Sequence, residues 1–364
     1  MLITPDRDPG FCLITFSWAE PAGAPIDDVL VRLIAFTDHA QDDGQLEPYL
    51  LDQQPDGVWS GTLRLPADLR TSYQLCPVRN GSLRQGPIDD ERWEAVMAAG
   101  LADPANPEIL PAGCIYGNQG PASVLELPAA PPQPGWRRRA GTQAGKVTRH
   151  ALGSSSVHVY QAPGAEPGAP LVILFDGAQW LSLDVTTMLD NLVADGLLEP
   201  LVVVLIDSIA GARRYHGLTP PRLFQPLVED LIPFVEDGWM VTRDPARTVV
   251  AGQSLGGLLS THLGRTRPGR FGAVLGQSSS FWWPGTEEDG ELSGETEIAA
   301  VSTGPLTRFY LTAGVHERDL LTGNRRMRDA LSAHELTYRE YEGGHDYACW
   351  RGDLADGLVT LLPK

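Results

Sequence analysis

The chain has 364 residues, enough for a sizeable core and, as a soft expectation, two or three domains. Hydrophobic residues make up 42% of it, which excludes an intrinsically disordered chain. With 28 basic and 46 acidic residues the formal charge is −18, which argues against nucleic acid as a partner but leaves room for an anionic small ligand wherever a few arginines gather.

The opening stretch, MLITPDRDPGFCLITF, carries acidic residues and proline ahead of any apolar run. It lacks the basic leader and cleavage site of a secretory signal. No apolar run is long enough to span a membrane. The four cysteines, Cys12, Cys76, Cys114 and Cys349, show no C-x-x-C spacing. That speaks against a zinc site and for thiols in a reducing compartment. The expectation is a cytoplasmic protein with no membrane partner.

The first third reads as β structure. The runs FCLITFSW (11–18), VLVRLIAFT (29–37), GVWSGTLRL (57–65) and SYQLCPV (72–78) are rich in Val, Ile, Thr, Phe and Trp, with Gly, Pro, Asp and Asn between them. Short strands at this spacing predict a small β-sandwich over residues 1–125. DDERWEAVMAAGL (89–101) is compatible with a helix. The prolines of ELPAAPPQPGW (126–136) favour an extended connector, and residues 126–145 are read as a linker. RRR (137–139) is read as a solvated part of it.

From 146 to 364 the rhythm changes. APLVILFDG (169–177) and EPLVVVLIDS (199–208) are continuous apolar runs, as in parallel strands covered on both faces. RTVVAGQ (247–253), FGAVLGQSS (271–279), TRFYLTAG (307–314) and TYREYEGG (337–344) read as further strands. Helical segments are predicted over 220–239, 255–268, 321–335 and 349–362. Strands alternating with helices predict a doubly wound α/β domain.

Within it, Gly252-Gln253-Ser254-Leu255-Gly256 is G-x-S-x-G between a predicted strand and a predicted helix, the nucleophile elbow of the α/β-hydrolase fold. Such a turn holds the serine oxygen above the sheet, and larger residues at the glycine positions would clash. The Leu255 N–H, at a helix N-terminus, is placed to donate to an oxyanion. A serine hydroxyl is a weak nucleophile and needs a base, and this fold orders the partners Ser, acid, His. His345, after a strand and two glycines, is the expected general base; His334, the other late histidine, falls in a helical run. The acid is sought in VHERDLL, where Glu317 and Asp319 are both candidates and Glu317 is the first choice. Asp346 would find it hard to reach its neighbour's ring. A second oxyanion donor is expected from the loop after LVILF, at Gly177 or Ala178, with Asp176 anchoring the turn.

The chain resembles the enterochelin esterases, hydrolases of ferric-catecholate siderophores. The resemblance covers nearly the whole length, through TDHAQ, ADPANP, QPGW, ILFDGAQW, VLIDS, RTVVAGQSLGGL, QSSSFWWPG, AGVHER and GGHDYACWRG. It implies an amino-terminal β domain joined to a catalytic α/β-hydrolase domain. It also implies hydrolysis of the ester bonds of a cyclic catecholate trilactone in the cytoplasm. Ser254 then matches the family's nucleophile, His345 its base, and Glu317 the acidic position of a G-x-x-E loop. Arg214, in ARRYHGL, matches an arginine facing the anionic catecholates. The family usually has R-x-H-E-L there, and this chain has Gly217 in place of the glutamate. Such a substrate is anionic, bulky and aromatic, so Arg213, Arg214, Trp180, Trp282 and Trp283 are the expected contacts. The chemistry needs no cofactor and no resident metal; iron is substrate cargo. Two other readings compete: a feruloyl-type or general carboxylesterase or acyltransferase on the same scaffold, and a catalytically idle siderophore-binding protein. The complete Ser, acid and His set argues against the latter.

Overall fold

The structure, a computed structural model, describes residues 1–19, 25–79, 81–115, 120–152, 155–207, 221–285, 292–305 and 307–362. They form two compact units. One is Met1–Pro132 with Gly314–His316 and Tyr341–Cys349; the other is Gln133–Ala313, Glu317–Glu340 and Trp350–Lys364.

The first unit holds eight described strands: β1 (Leu2–Pro5), β2 (Phe11–Ala19), β3 (Asp28–Leu33), β4 (Asp52–Gln53), β5 (Val58–Pro66), β6 (Arg70–Val78), β7 (Ile109–Leu110) and β8 (Ala122–Glu126). They make two antiparallel four-stranded sheets, in the orders β1-β2-β5-β4 and β3-β6-β8-β7. Alternation sorts each strand's side chains. Ile14, Phe16, Trp59 and Leu65 of one sheet meet Val29, Val31, Tyr73, Leu75 and Leu125 of the other, a sandwich core. Phe16 meets Tyr73 edge-on at 5.2 Å between ring centroids, worth about 1 kcal/mol beyond burial. Leu30, Cys76 and Val78 turn the other way and bury Trp93, Val96 and Met97 of α2 (Asp90–Ala98). The Asp89 carboxylate caps that helix by accepting from the Arg92 N–H at 2.9 Å. The run read as one strand over 29–37 stops at Leu33. The Phe36 N–H donates to the Leu33 carbonyl at 2.9 Å, the Thr37 hydroxyl donates to it at 2.8 Å, and Thr37 opens α1 (Thr37–Asp42).

The second unit is built on one eight-stranded sheet, in the order β16-β15-β14-β13-β11-β12-β10-β9. Its strands are β9 (Lys146–Leu152), β10 (Ser155–Gln161), β11 (Leu171–Phe175), β12 (Val202–Ile206), β13 (Thr248–Gln253), β14 (Ala273–Gln277), β15 (Arg308–Gly314) and β16 (Glu335–Tyr341). β9 and β10 form an antiparallel hairpin at one edge, and β11 through β15 pair in parallel apart from the crossovers. The helices are α3 (Gly177–Ser182), α4 (Val185–Ala194), α5 (Pro221–Trp239), α6 (Leu255–Thr266), α7 (Gly294–Val301), α8 (Asp319–Ala330) and α9 (Tyr347–Leu361). One sheet face, with Ile173, Phe175, Val250, Val274 and Leu311, is covered by Leu231 and Val235 of α5, Leu258 and Leu259 of α6, and Met327 of α8. On the other face α9 rides over Leu275 and Tyr310, and Asp190 of α4 accepts a hydrogen bond from the Tyr160 hydroxyl at 2.8 Å. Covered on both sides, β11, β12 and β14 are buried at every position. This is an α/β-hydrolase sheet, and the chain order reverses at β11, so the carboxyl ends of β11 and β13 are where a ligand crevice belongs.

The connector arginines are exposed, as expected of a solvated stretch, and two of them are also fastened. Arg138 donates to the Thr187 hydroxyl at 2.7 Å. Arg139 reaches the Asn191 side chain at 2.9 Å and the Asp195 carboxylate at 2.9 Å, so both arginines grip α4. Among the described residues no helix is long and apolar enough to cross a membrane.

Candidate active site

Ser254 stands between the carboxyl end of β13 and the first turn of α6, with φ 57° and ψ −125°. A non-glycine residue there is strained by roughly 1–3 kcal/mol and persists only where its surroundings enforce it. The enforcement is visible. The Ser254 N–H donates to the Gln277 carbonyl at 2.9 Å. Its own carbonyl accepts from Gly257 at 3.0 Å, Leu258 at 3.2 Å and Ser280 at 3.0 Å. Gly252 is required by contact: a Cβ there would lie 2.5 Å from the Gly256 carbonyl carbon and 2.7 Å from its oxygen. Leu255 opens the helix, where no intrahelical acceptor exists for its N–H.

Two supports under this turn escape a reading of the pentapeptide alone. Gln253, 1% exposed, accepts from the Trp180 indole at 3.2 Å and donates to the Asp176 carboxylate. The first helical turn after β11 and the elbow after β13 are thereby locked together. Asp176 lies in the left-handed region at φ 58°, and its side chain does not cap α3 but takes the Gln253 amide. Trp180 is wholly buried, which corrects the expectation of a substrate contact: its indole is committed to Gln253. The only sequence signal was a buried-type position, the end of an apolar strand, occupied by an amide.

The second support is Gln277-Ser278-Ser279-Ser280, all buried. Ser280 Oγ lies 3.2 Å from Ser254 Oγ. Ser278, at φ 46°, accepts from the Trp350 indole at 2.9 Å, and the Gln277 amide donates to the Trp350 carbonyl at 2.7 Å. Trp350 therefore packs α9 under the end of β14.

Gly177 and Ala178 form the first turn of α3, and the Asp176 carbonyl is taken by Gln179 at 3.1 Å and Trp180 at 3.2 Å. Glu317 follows β15 and is 3% exposed, whereas Asp319 is an exposed residue in the first turn of α8. A buried carboxylate needs a partner and an exposed one does not, so burial separates the two. Ser254, Gly177 and Glu317 thus all sit beyond the carboxyl ends of strands of one sheet. Near Glu317, half-buried Asp353 of α9 has its carboxyl pushed up to about 7. Burial is the chief cause; the Thr312 hydroxyl opposes it, and Asp356 and Glu317 add to it.

His345 lies in the loop between β16 and α9 and is half-buried. Its neighbour Asp346 is wholly enclosed and turned to other partners, the Ser72 and Thr71 side chains and the Ser72 and Ala348 N–H groups. Burial raises the Asp346 carboxyl above its ordinary range despite those bonds. His334 is spent structurally, its Nε2 lying 3.0 Å from the Val301 carbonyl. Trp282 is 47% exposed, while Trp283 packs against the core of the hydrolase unit. The two indoles meet edge-on at 5.7 Å. Arg213 and Arg214 lie outside the described residues.

Comparison with known proteins agrees with this architecture. Residues 13–136 match the family model "Enterochelin esterase, N-terminal" and residues 155–361 the model "Putative esterase". An iron(III) enterobactin esterase of Escherichia coli is 34% identical over 371 residues, covering 96% of this chain and 90% of that protein. An iron(III) salmochelin esterase of Escherichia coli is 32% identical over 369 residues, covering 96% and 87%. The crystal structure of the enterobactin esterase of Shigella flexneri in the presence of enterobactin superposes with a TM-score of 0.84 at 31% identity, covering 99% of this chain and 95% of that one. With both halves matched in order and an intact nucleophile elbow, this chain belongs to the enterochelin esterase family of carboxylic ester hydrolases.

Proposed function

We propose that the chain opens the ester bonds of a catecholate siderophore trilactone through a triad of Ser254, His345 and Glu317. The observation that carries this reading is Ser254 itself, a strained serine held between a β-strand and a helix N-terminus by four backbone hydrogen bonds. In the proposed reaction the Ser254 Oγ attacks the ester carbonyl carbon as its proton passes to the His345 imidazole. Glu317 orients that imidazole and stabilises its charged form; its burial favours it over Asp319. The developing oxyanion takes hydrogen bonds from the Leu255 N–H and from Gly177 or Ala178. Collapse breaks the C–O bond, and the leaving alkoxide takes the proton from His345. Water activated by the same histidine then releases the acid and regenerates Ser254.

Trp282, with nearly half its surface open, is the aromatic contact that burial supports; Arg213 and Arg214 are proposed to meet the catecholate charge on the family resemblance. The Fe3+ of a ferric siderophore enters as substrate cargo. The proposal assigns the reaction to the cytoplasm, and the four cysteines, all buried and none in a disulfide, suit a reducing compartment.

The test is selectivity between ester classes. Purified protein is given ferric trilactone, iron-free trilactone and methyl ferulate, and the products are separated by chromatography. Trilactone opening at a kcat/KM at least a hundredfold above that for the ferulate supports the siderophore reading. The reverse order would replace it with the feruloyl-type esterase.

A further inference from the structure

The loop that carries His345 belongs to the same compact unit as the amino-terminal sandwich. Its attachment to β3 and β6 is dense. The Arg70 N–H donates to the Glu342 carbonyl at 3.2 Å, and the Cys349 thiol donates to the Arg70 carbonyl at 3.1 Å. Gly344 lies flush on the turn after β3, where a Cβ would come within 2.7 Å of the Ala35 Cα. His316, paired with Glu342, packs its ring on Phe36 at 4.4 Å.

At the centre is Asp346, 1% exposed, whose two oxygens do separate jobs. Oδ1 accepts from the Ala348 N–H at 2.8 Å and caps the start of α9. Oδ2 faces only β6: the Ser72 N–H, the Ser72 hydroxyl at 2.8 Å and the Thr71 hydroxyl at 3.2 Å. A helix cap needs the first oxygen alone. The second is surplus to capping, and it ties the residue next to His345 to a strand far away in the chain.

We propose that Asp346 is a positioning residue for ester hydrolysis: by clasping β6 it makes the amino-terminal sandwich the seat of the histidine loop. This rests on the reading of His345 as the general base. The sandwich then has a part in turnover beyond any contact with substrate, because a displacement of the base by about 1 Å costs on the order of a hundredfold in rate.

Asp346→Asn separates the two jobs. The amide oxygen can still cap α9, but an NH2 now confronts the Ser72 N–H, which cannot turn to accept. On a small aryl ester, which leaves aside the identity of the natural substrate, we expect kcat to fall at least tenfold with KM within about twofold. Asp28→Asn is the comparison. Asp28 is equally buried in the same unit and holds Ser82 at 2.6 Å and the Leu83 N–H at 2.7 Å, away from the loop. It should lower Tm and leave kcat per folded molecule unchanged. Equal effects of the two variants on kcat, or a folded Asp346→Asn protein with wild-type kcat, would overturn the proposal. If Asp346→Asn does not fold, Ser72→Ala carries the test, with about a threefold loss in kcat expected and no loss overturning it. His345→Ala distinguishes the underlying reading: full activity there removes His345 as the base, whereas an inactive His345→Ala beside a fully active Asp346→Asn removes only the positioning role.

Discussion

Gly252→Ala tests how the elbow is built. The added Cβ would lie 2.5 Å from the Gly256 carbonyl carbon, 2.7 Å from its oxygen and 2.9 Å from its Cα, all backbone of the first turn of α6. Ordinary contact begins at 3.4 Å, so β13 and α6 must part by about 0.9 Å, with no flexible side chain to absorb the change. Overpacking of this kind costs about 2 kcal/mol, or roughly 4–8 °C in Tm for a unit of this size. The same displacement moves Ser254 Oγ and the Leu255 N–H, and a shift near 1 Å lowers kcat/KM by about a hundredfold. Gly269→Ala is the control, because a Cβ there meets nothing within 4 Å. The assay is kcat/KM on an aryl ester with Tm by calorimetry. Wild-type values for both in Gly252→Ala would refute the account of the turn.

Three further outcomes are expected. Asp353 has a folded pKa of about 7 against 3.8 unfolded, so the native state holds its proton more tightly. The stability it contributes is full below pH 4 and lost as pH rises to about 7, on the order of 2 kcal/mol for a partly buried residue. The Tm advantage of Asp353→Asn over wild type should therefore grow from pH 5 to pH 8; a constant difference would contradict this. Glu297 has the opposite sign. Its burial is outweighed by bonds from Arg265 and His262, each at 2.8 Å, and its carboxyl lies below the ordinary range. Its contribution is present above about pH 4.5 and lost as pH falls further, so Glu297→Gln should cost about 3 kcal/mol at pH 7 and progressively less in acid, read from urea unfolding. Finally, Trp282→Ala should raise KM for the trilactone several-fold and leave KM for a small aryl ester unchanged; equal KM values would remove Trp282 from the substrate contacts.

The sequence made the hydrolase unit legible where physics is local. Apolar runs such as VVVLI could only be strands covered twice, and G-x-S-x-G between strand and helix names its own geometry. It was least legible where partners are distant. In the hairpin of β9 and β10 the edge strand β9 alternates exposed and half-buried residues and carries no strong apolar run, so nothing marked it. Trp180 read as an aromatic platform because sequence cannot show that Gln253, 73 positions away, holds its indole. RRR read as solvated and is exposed, but its acceptors on α4 lie about 50 positions on and nothing in the sequence marked them. Asp346 was separated from the histidine's ring by simple geometry, but its true partner, Ser72, lies 274 residues earlier and no periodicity connects them.

The most direct measurement of the central claim is a paired one on Ser254→Ala. Ferric and iron-free catecholate trilactones are incubated with wild type and variant, the linear products are resolved by chromatography, and binding of the ferric complex is followed by tryptophan fluorescence. The account predicts linear trimer, dimer and monomer from the wild type, none from Ser254→Ala, and retained binding in both. Trilactone opening by Ser254→Ala at the wild-type rate would contradict it.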